Sequence, residues 1–124
     1  ALKCKSSDKF MLVTDAMPTV GGRETSFALQ GRTIQVRDGV CVAPDGTLAG
    51  SHLDMSTAVR NAVAMLGVTD AQALAMASLH PAQFIGRPDL GIIAAGARAS
   101  LLRLDHRLRL KMTWVDGVPY APDG

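Results

Sequence analysis

Three places in the 124 residues put side chains or backbone of chemical interest into a pattern. The first is Asp15, which follows the apolar run "FMLVT" (Phe10–Thr14) and precedes Met17-Pro18. The run fits a strand buried on both faces, and the proline forbids its continuation. A carboxylate at that point can take up and return a proton, or it can cap the following turn through its own oxygens. On the residues alone the turn cap is the simpler reading. The second is "TLAGS" (Thr47–Ser51), whose small residues would let the backbone at Leu48, Ala49 and Gly50 approach a ligand closely. Without further support it reads as a plain strand-to-helix link with Ser51 as the cap. The third is the set of thiols and imidazoles. Cys4 and Cys41 have no C-x-x-C spacing, and His52, His80 and His106 form no H-x-H or H-x-x-x-H pair, so no residue is assigned as a metal ligand. Two buried free cysteines in a reducing compartment are expected.

These groups must be positioned by the elements around them. Pro18–Gly22 is a loop with two adjacent glycines. "SFALQGRTIQVRDGVCVAPDGTLAGS" reads as short strands broken at Gln30-Gly31, Asp38-Gly39 and Asp45-Gly46, a small β excursion. A helix is predicted over Ser51–Leu66, with Ser51 and Asp54 as a capping pair and Met55, Val59, Ala62, Val63 and Leu66 on one face, stopped by Gly67. Thr69 caps a second helix with Gln72 at the box position, and Pro81 opens a short turn ending near Gly86. From Gly91 the pattern holds two or three strands, with Asp116-Gly117 as a hairpin turn and Asp105-His106 as a looser corner. Such strands have too few partners for an independent domain, which predicts that the 124 residues belong to something larger.

Composition limits the function. With 48% apolar residues the chain can form a core, while 4% aromatics and a net charge of +2 argue against a nucleic-acid platform. Residues 1–85 balance seven basic against seven acidic side chains, and the excess lies in Arg87, Arg98, Arg103, Arg107, Arg109 and Lys111, spaced as the solvent face of strands. No apolar run reaches the ~18 residues of a membrane span, and no signal peptide opens the sequence. A cytoplasmic protein with neither nucleic-acid nor membrane partners is expected.

Taken in order, "LVTDAM", "DGTLAGS", "AVRN", "MAS" and "TWVDG" make the chain resemble the C-terminal third of the N-acetylglucosamine-6-phosphate deacetylases, a branch of the amidohydrolase superfamily. The resemblance covers nearly the whole chain. It implies an α/β fold: residues 1–90 as the C-terminal part of a (β/α)8 barrel (last strand, β excursion and closing helices), and residues 91–124 as strands of a small β-sandwich. Asp15 would then end the eighth strand at the barrel mouth, with Met11 and Val13 facing inward and Phe10, Leu12 and Thr14 facing the helices.

In that setting the resemblance makes Asp15 the base toward water and then the acid toward the glucosamine nitrogen, releasing glucosamine 6-phosphate and acetate. It places the backbone of Leu48, Ala49 and Gly50 against the bound amino-sugar phosphate. It also implies a divalent metal, zinc or iron, whose ligands lie outside this chain unless Asp15 is one; the unpaired apolar edges of Phe10–Thr14 add the expectation of a homo-oligomer. The chain departs from the superfamily where Ala99-Ser100-Leu101 replaces a common Ala-Asp-Leu, which affects a local hydrogen-bond pattern. Trp114 reads as a sandwich-core filler. Two alternatives stay open: another amidohydrolase-superfamily amide hydrolase, or a non-catalytic, self-associating module.

Overall fold

The computed structural model describes residues 6–121, which divide into two compact units: one from Val13 to Ala58, the other formed by the residues before and after it.

In the first unit, β1 (Ser26–Leu29), β2 (Arg32–Arg37), β3 (Val40–Val42) and β4 (Leu48–Ser51) make an antiparallel meander in sequence order. The first two turns follow from their residue pairs. Gln30 and Gly31 have φ of 49° and 76°, and Asp38 and Gly39 have φ of 49° and 80°, so both central residues are left-handed, the twist that suits a two-residue hairpin. In the third connection the Asp45 carboxylate accepts the Thr47 N–H at 3.0 Å, and Gly46 takes φ of 84°. Ile34, Cys41 and Ala43 are buried beneath the sheet, with Met17, Phe27, Val36 and Ala49 packed against them. Cys41 is a free, fully buried thiol, as expected, while Cys4 lies outside the described residues.

The chain then enters α1 (Met55–Leu66). The helix starts four residues later than the sequence predicts, because Ser51 belongs to β4 and Asp54 does the capping. One Asp54 oxygen accepts the Thr57 N–H at 2.8 Å, and the other accepts the Thr57 hydroxyl. The predicted apolar face is also narrower than expected: Val59 and Ala62 are buried and Val63 packs beside them, but Met55 and Leu66 are exposed.

The second unit holds α2 (Asp70–Ala77) and α3 (Leu79–Phe84), followed by an antiparallel sheet β5 (Leu101–Leu104), β6 (Leu110–Val115), β7 (Val118–Tyr120). The Thr69 hydroxyl accepts the Gln72 N–H at 3.2 Å and the Gln72 amide oxygen accepts the Thr69 N–H at 2.9 Å, a complete capping box. The core of this unit is Val59, Ala62 and Ala73, with Leu12, Val68, Ala77 and Leu108 alongside. Trp114 is half-buried on β6 opposite Leu101 and Pro119. Asp116 and Gly117 form the predicted hairpin turn, with φ of 50° and 84°. Ser100 is exposed, and its hydroxyl accepts the Asp116 N–H at 3.3 Å. The Arg98 guanidinium grips the same aspartate and holds its carboxyl below the ordinary range, so the serine takes part in fastening this turn.

Phe10–Thr14 departs from its expected form: it joins no sheet among the described residues. Its neighbours there give it single bonds only, such as Leu12 N–H to Met76 C=O at 2.9 Å and the Phe10 carbonyl to His80 Nδ1 at 2.8 Å. A strand needs a ladder on at least one side, and the described strands meet this run only at its end, where Ser51 of β4 donates its hydroxyl to the Thr14 carbonyl. The alternation predicted for it is nonetheless present. Phe10, Leu12 and Thr14 are half-buried, whereas Met11, Val13 and Asp15 are exposed, Val13 to 82%.

Candidate active site

Asp15 sits where the extended run turns into the loop, and its backbone is left-handed, like those of Gln30, Asp38, Leu108 and Asp116. Its φ of 51° places a non-glycine residue in the left-handed region, at a cost of roughly 1–2 kcal/mol, tolerated best by Asp and Asn. Its carboxylate is exposed and receives no hydrogen bond or ion pair among the described residues. The turn-cap reading therefore finds no support. The turn is closed by backbone alone, Val20 N–H to Met17 C=O at 3.1 Å and Gly22 N–H to Thr19 C=O at 3.2 Å.

What fixes the Asp15 backbone is the end of β4. Ala16 and Ser51 form a parallel bridge, in which the Ser51 N–H donates to the Asp15 carbonyl at 2.9 Å and the Met17 N–H donates to the Ser51 carbonyl at 3.0 Å. The Ser51 hydroxyl adds a third link by donating to the Thr14 carbonyl. One residue farther on, His52 Nδ1 lies 2.9 Å from the hydroxyl of Thr19, whose side chain is buried against Cys41. Four links thus tie residues 14–19 to residues 51 and 52.

The other predicted site residues occupy β4 itself. Leu48 pairs with Val42 and Gly50 with Cys41, so the ladder slips there and Ala49 is left over as a bulge. Leu48 is exposed, Ala49 half-buried and Gly50 buried. The structure brings Gly50 beside Asp15: a Cβ on Gly50 would stand 3.0 Å from the Asp15 carbonyl oxygen and 2.6 Å from Met17 Cγ. At φ of 142° a side chain would be strained even with room. Gly50→Ala is therefore expected to destabilise the protein by about 2–4 kcal/mol, read as a lowered denaturant midpoint; an unchanged midpoint would contradict this packing.

The sequence alone gives Ser51 to helix capping and offers no role for Thr19 or His52. The signal that could have found Ser51 is slight: Asp54 suffices to cap α1, which leaves the serine unemployed. Among the described residues no three of His, Cys, Asp and Glu converge on a point that could hold a metal ion, so the residues present do not by themselves fit a metal centre. No helix among them is long and apolar enough to cross a membrane.

A model of the "Amidohydrolase family" matches residues 1–119, nearly the whole chain. The chain belongs to the amidohydrolase family. Within that family, an N-acetylgalactosamine-6-phosphate deacetylase of Escherichia coli O157:H7 is 41% identical over 115 residues, which are 92% of this chain and 30% of that protein. A relative of Escherichia coli K12, also 41% identical, is shorter, and the match spans 69% of it. The crystal structure of N-acetylglucosamine-6-phosphate deacetylase from Pasteurella multocida superposes on 97% of this chain with a TM-score of 0.89 at 36% identity, and the match covers 32% of that protein. This amidohydrolase chain thus spans about a third or less of two of the three.

Proposed function

We propose that these residues are the C-terminal portion of a deacetylase that hydrolyses N-acetylglucosamine 6-phosphate to glucosamine 6-phosphate and acetate. The observation that carries this reading is the Asp15 carboxylate: exposed, without a donor among the described residues, and held on a left-handed backbone at the point where a barrel strand would end. Asp15 takes a proton from the attacking water, whose oxygen adds to the acetyl carbon. It then delivers that proton to the amide nitrogen as the carbon–nitrogen bond breaks, leaving acetate and a free amine. The bulged Leu48–Gly50 backbone faces the sugar phosphate in this reading. Residues 1–90 complete the barrel, and 91–124 belong to the sandwich.

Asp15 aside, the ligands of a divalent metal, zinc or iron, are assigned to the part of the longer relatives that these residues do not span. The same part, or a second copy in a homo-oligomer, covers exposed apolar residues such as Val13, Phe84 and Ile93.

The 41% identity to a protein named for the galactosamine substrate supports a second reading, in which the preferred sugar is the C4 epimer. Acetate release by the complete enzyme, measured on both 6-phosphorylated epimers and on their unphosphorylated forms, tests both. A higher kcat/KM on either phosphorylated sugar is expected, and the epimer with the higher value identifies the substrate. Preference for an unphosphorylated sugar would overturn the reading.

A further inference from the structure

We propose that Ser51 is a positioning residue for Asp15, acting on the orientation of the carboxylate rather than on helix capping or on the substrate. The inference rests on the deacetylase reading and goes beyond it, since that reading gives Ser51 no task.

Two backbone torsions aim a side chain. The position of the Asp15 Cβ depends on φ, which swings the Thr14–Asp15 peptide, and on ψ, which swings the Asp15–Ala16 peptide. Ser51 holds both. Its N–H donates to the Asp15 carbonyl at 2.9 Å, which fixes the second peptide, and its hydroxyl donates to the Thr14 carbonyl, which fixes the first. Its carbonyl accepts the Met17 N–H at 3.0 Å and keeps the two segments in register.

The hydroxyl has little freedom to do otherwise. It accepts the Leu53 N–H at 3.2 Å, and its one proton goes to Thr14. The usual employment of such a serine is closed, because Asp54 already caps α1. Asp15 at φ of 51° shares the left-handed conformation of Asp38 and Asp116 but lies in no hairpin turn, and among the described residues the Ser51 hydroxyl is the one side-chain group seen to hold that φ. Without it the backbone links of Ser51 remain, while the Thr14–Asp15 peptide is released to relax toward ordinary φ and carry the carboxylate away from the water it must meet.

The test uses the complete enzyme with Ser51→Ala, Ser51→Thr, Asp15→Asn and the Ser51→Ala/Asp15→Asn double variant. Ser51→Ala is expected to lower kcat about 10- to 100-fold with KM within about threefold, the signature of misplaced chemistry rather than lost binding. Ser51→Thr, which keeps the hydroxyl, is expected to retain most of the turnover. In the Asp15→Asn background Ser51→Ala should cost nothing more, since a residue that acts through Asp15 has nothing left to act on. Wild-type kcat in Ser51→Ala beside an inactive Asp15→Asn overturns the proposal. So does an equal loss in both backgrounds, or an alanine variant that does not fold, because the hydroxyl would then serve the fold as a whole. Failure of the deacetylase reading looks different: the unaltered enzyme releases no acetate, or Asp15→Asn is fully active, and the role of Ser51 falls with it.

Discussion

Asp15→Asn in the complete enzyme is expected to lower kcat for acetate release by about 10²- to 10⁴-fold, the usual contribution of a positioned acid–base group, with a much smaller change in KM. The substitution isolates the proton chemistry for a structural reason. Asn has the size of Asp and shares its tolerance for the left-handed backbone, so φ of 51° is kept and the links from Ser51 to Thr14, Asp15 and Met17 are undisturbed. What changes is that an amide oxygen cannot take the proton of water and hand it to the leaving amine. The measurement is steady-state acetate release at several substrate concentrations. Turnover near that of the unaltered enzyme would remove Asp15 from the chemistry and the proposed mechanism with it.

Gly91→Ala is expected to cost the protein about 3–5 kcal/mol of stability, combining a left-handed φ with overpacking. Gly91 has φ of 74°, and a Cβ there would stand 2.7 Å from Leu79 Cα, 2.9 Å from Leu79 N and 2.9 Å from the Ser78 carbonyl oxygen. All three are backbone atoms at the start of α3, which cannot swing aside as a side-chain tip can. Gly96→Ala is the matched control: its φ is 85°, but nothing lies within 4 Å of the added carbon, so only the conformational part of the penalty applies. The denaturant midpoint of Gly91→Ala should therefore fall clearly below that of Gly96→Ala. Equal midpoints would mean that the segment after α3 does not pack against Ser78 and Leu79 as described.

The parts of the fold legible in the sequence are those decided locally. Gln30-Gly31, Asp38-Gly39 and Asp116-Gly117 mark turns because few residue pairs accept two consecutive left-handed conformations, and all three appear as such. Thr69 and Gln72 announce their capping box through spacing alone, and it forms. Ser51 is not legible in this way, because Ser and Asp three residues apart before an apolar run look like one capping arrangement whichever of them caps. The decision between them lies with the Thr14 carbonyl, 37 residues away. Phe10–Thr14 illustrates the opposite case. Its alternation is intrinsic and visible, but its pairing depends on neighbours that the described residues do not supply. For Asp15 the sequence shows the acid and its place at the end of the run, while the left-handed backbone and the lack of a capping bond among the described residues emerge only from the structure.

The tie between Thr14 and Ser51 also has a meaning in polymer terms. Each hairpin of the β1–β4 meander closes over a handful of residues, whereas this tie closes over 37. Loop entropy grows only logarithmically, by about 0.6 kcal/mol per doubling of length, so the long closure adds little once the short ones exist. Formed first, the hairpins shorten the effective path between Asp15 and Ser51 from an open chain to the width of a four-stranded sheet. The meander thus returns the chain to its own start: the two ends of the unit meet directly, with the Ser51 N–H 2.9 Å from the Asp15 carbonyl, and the carboxylate is placed by that closure.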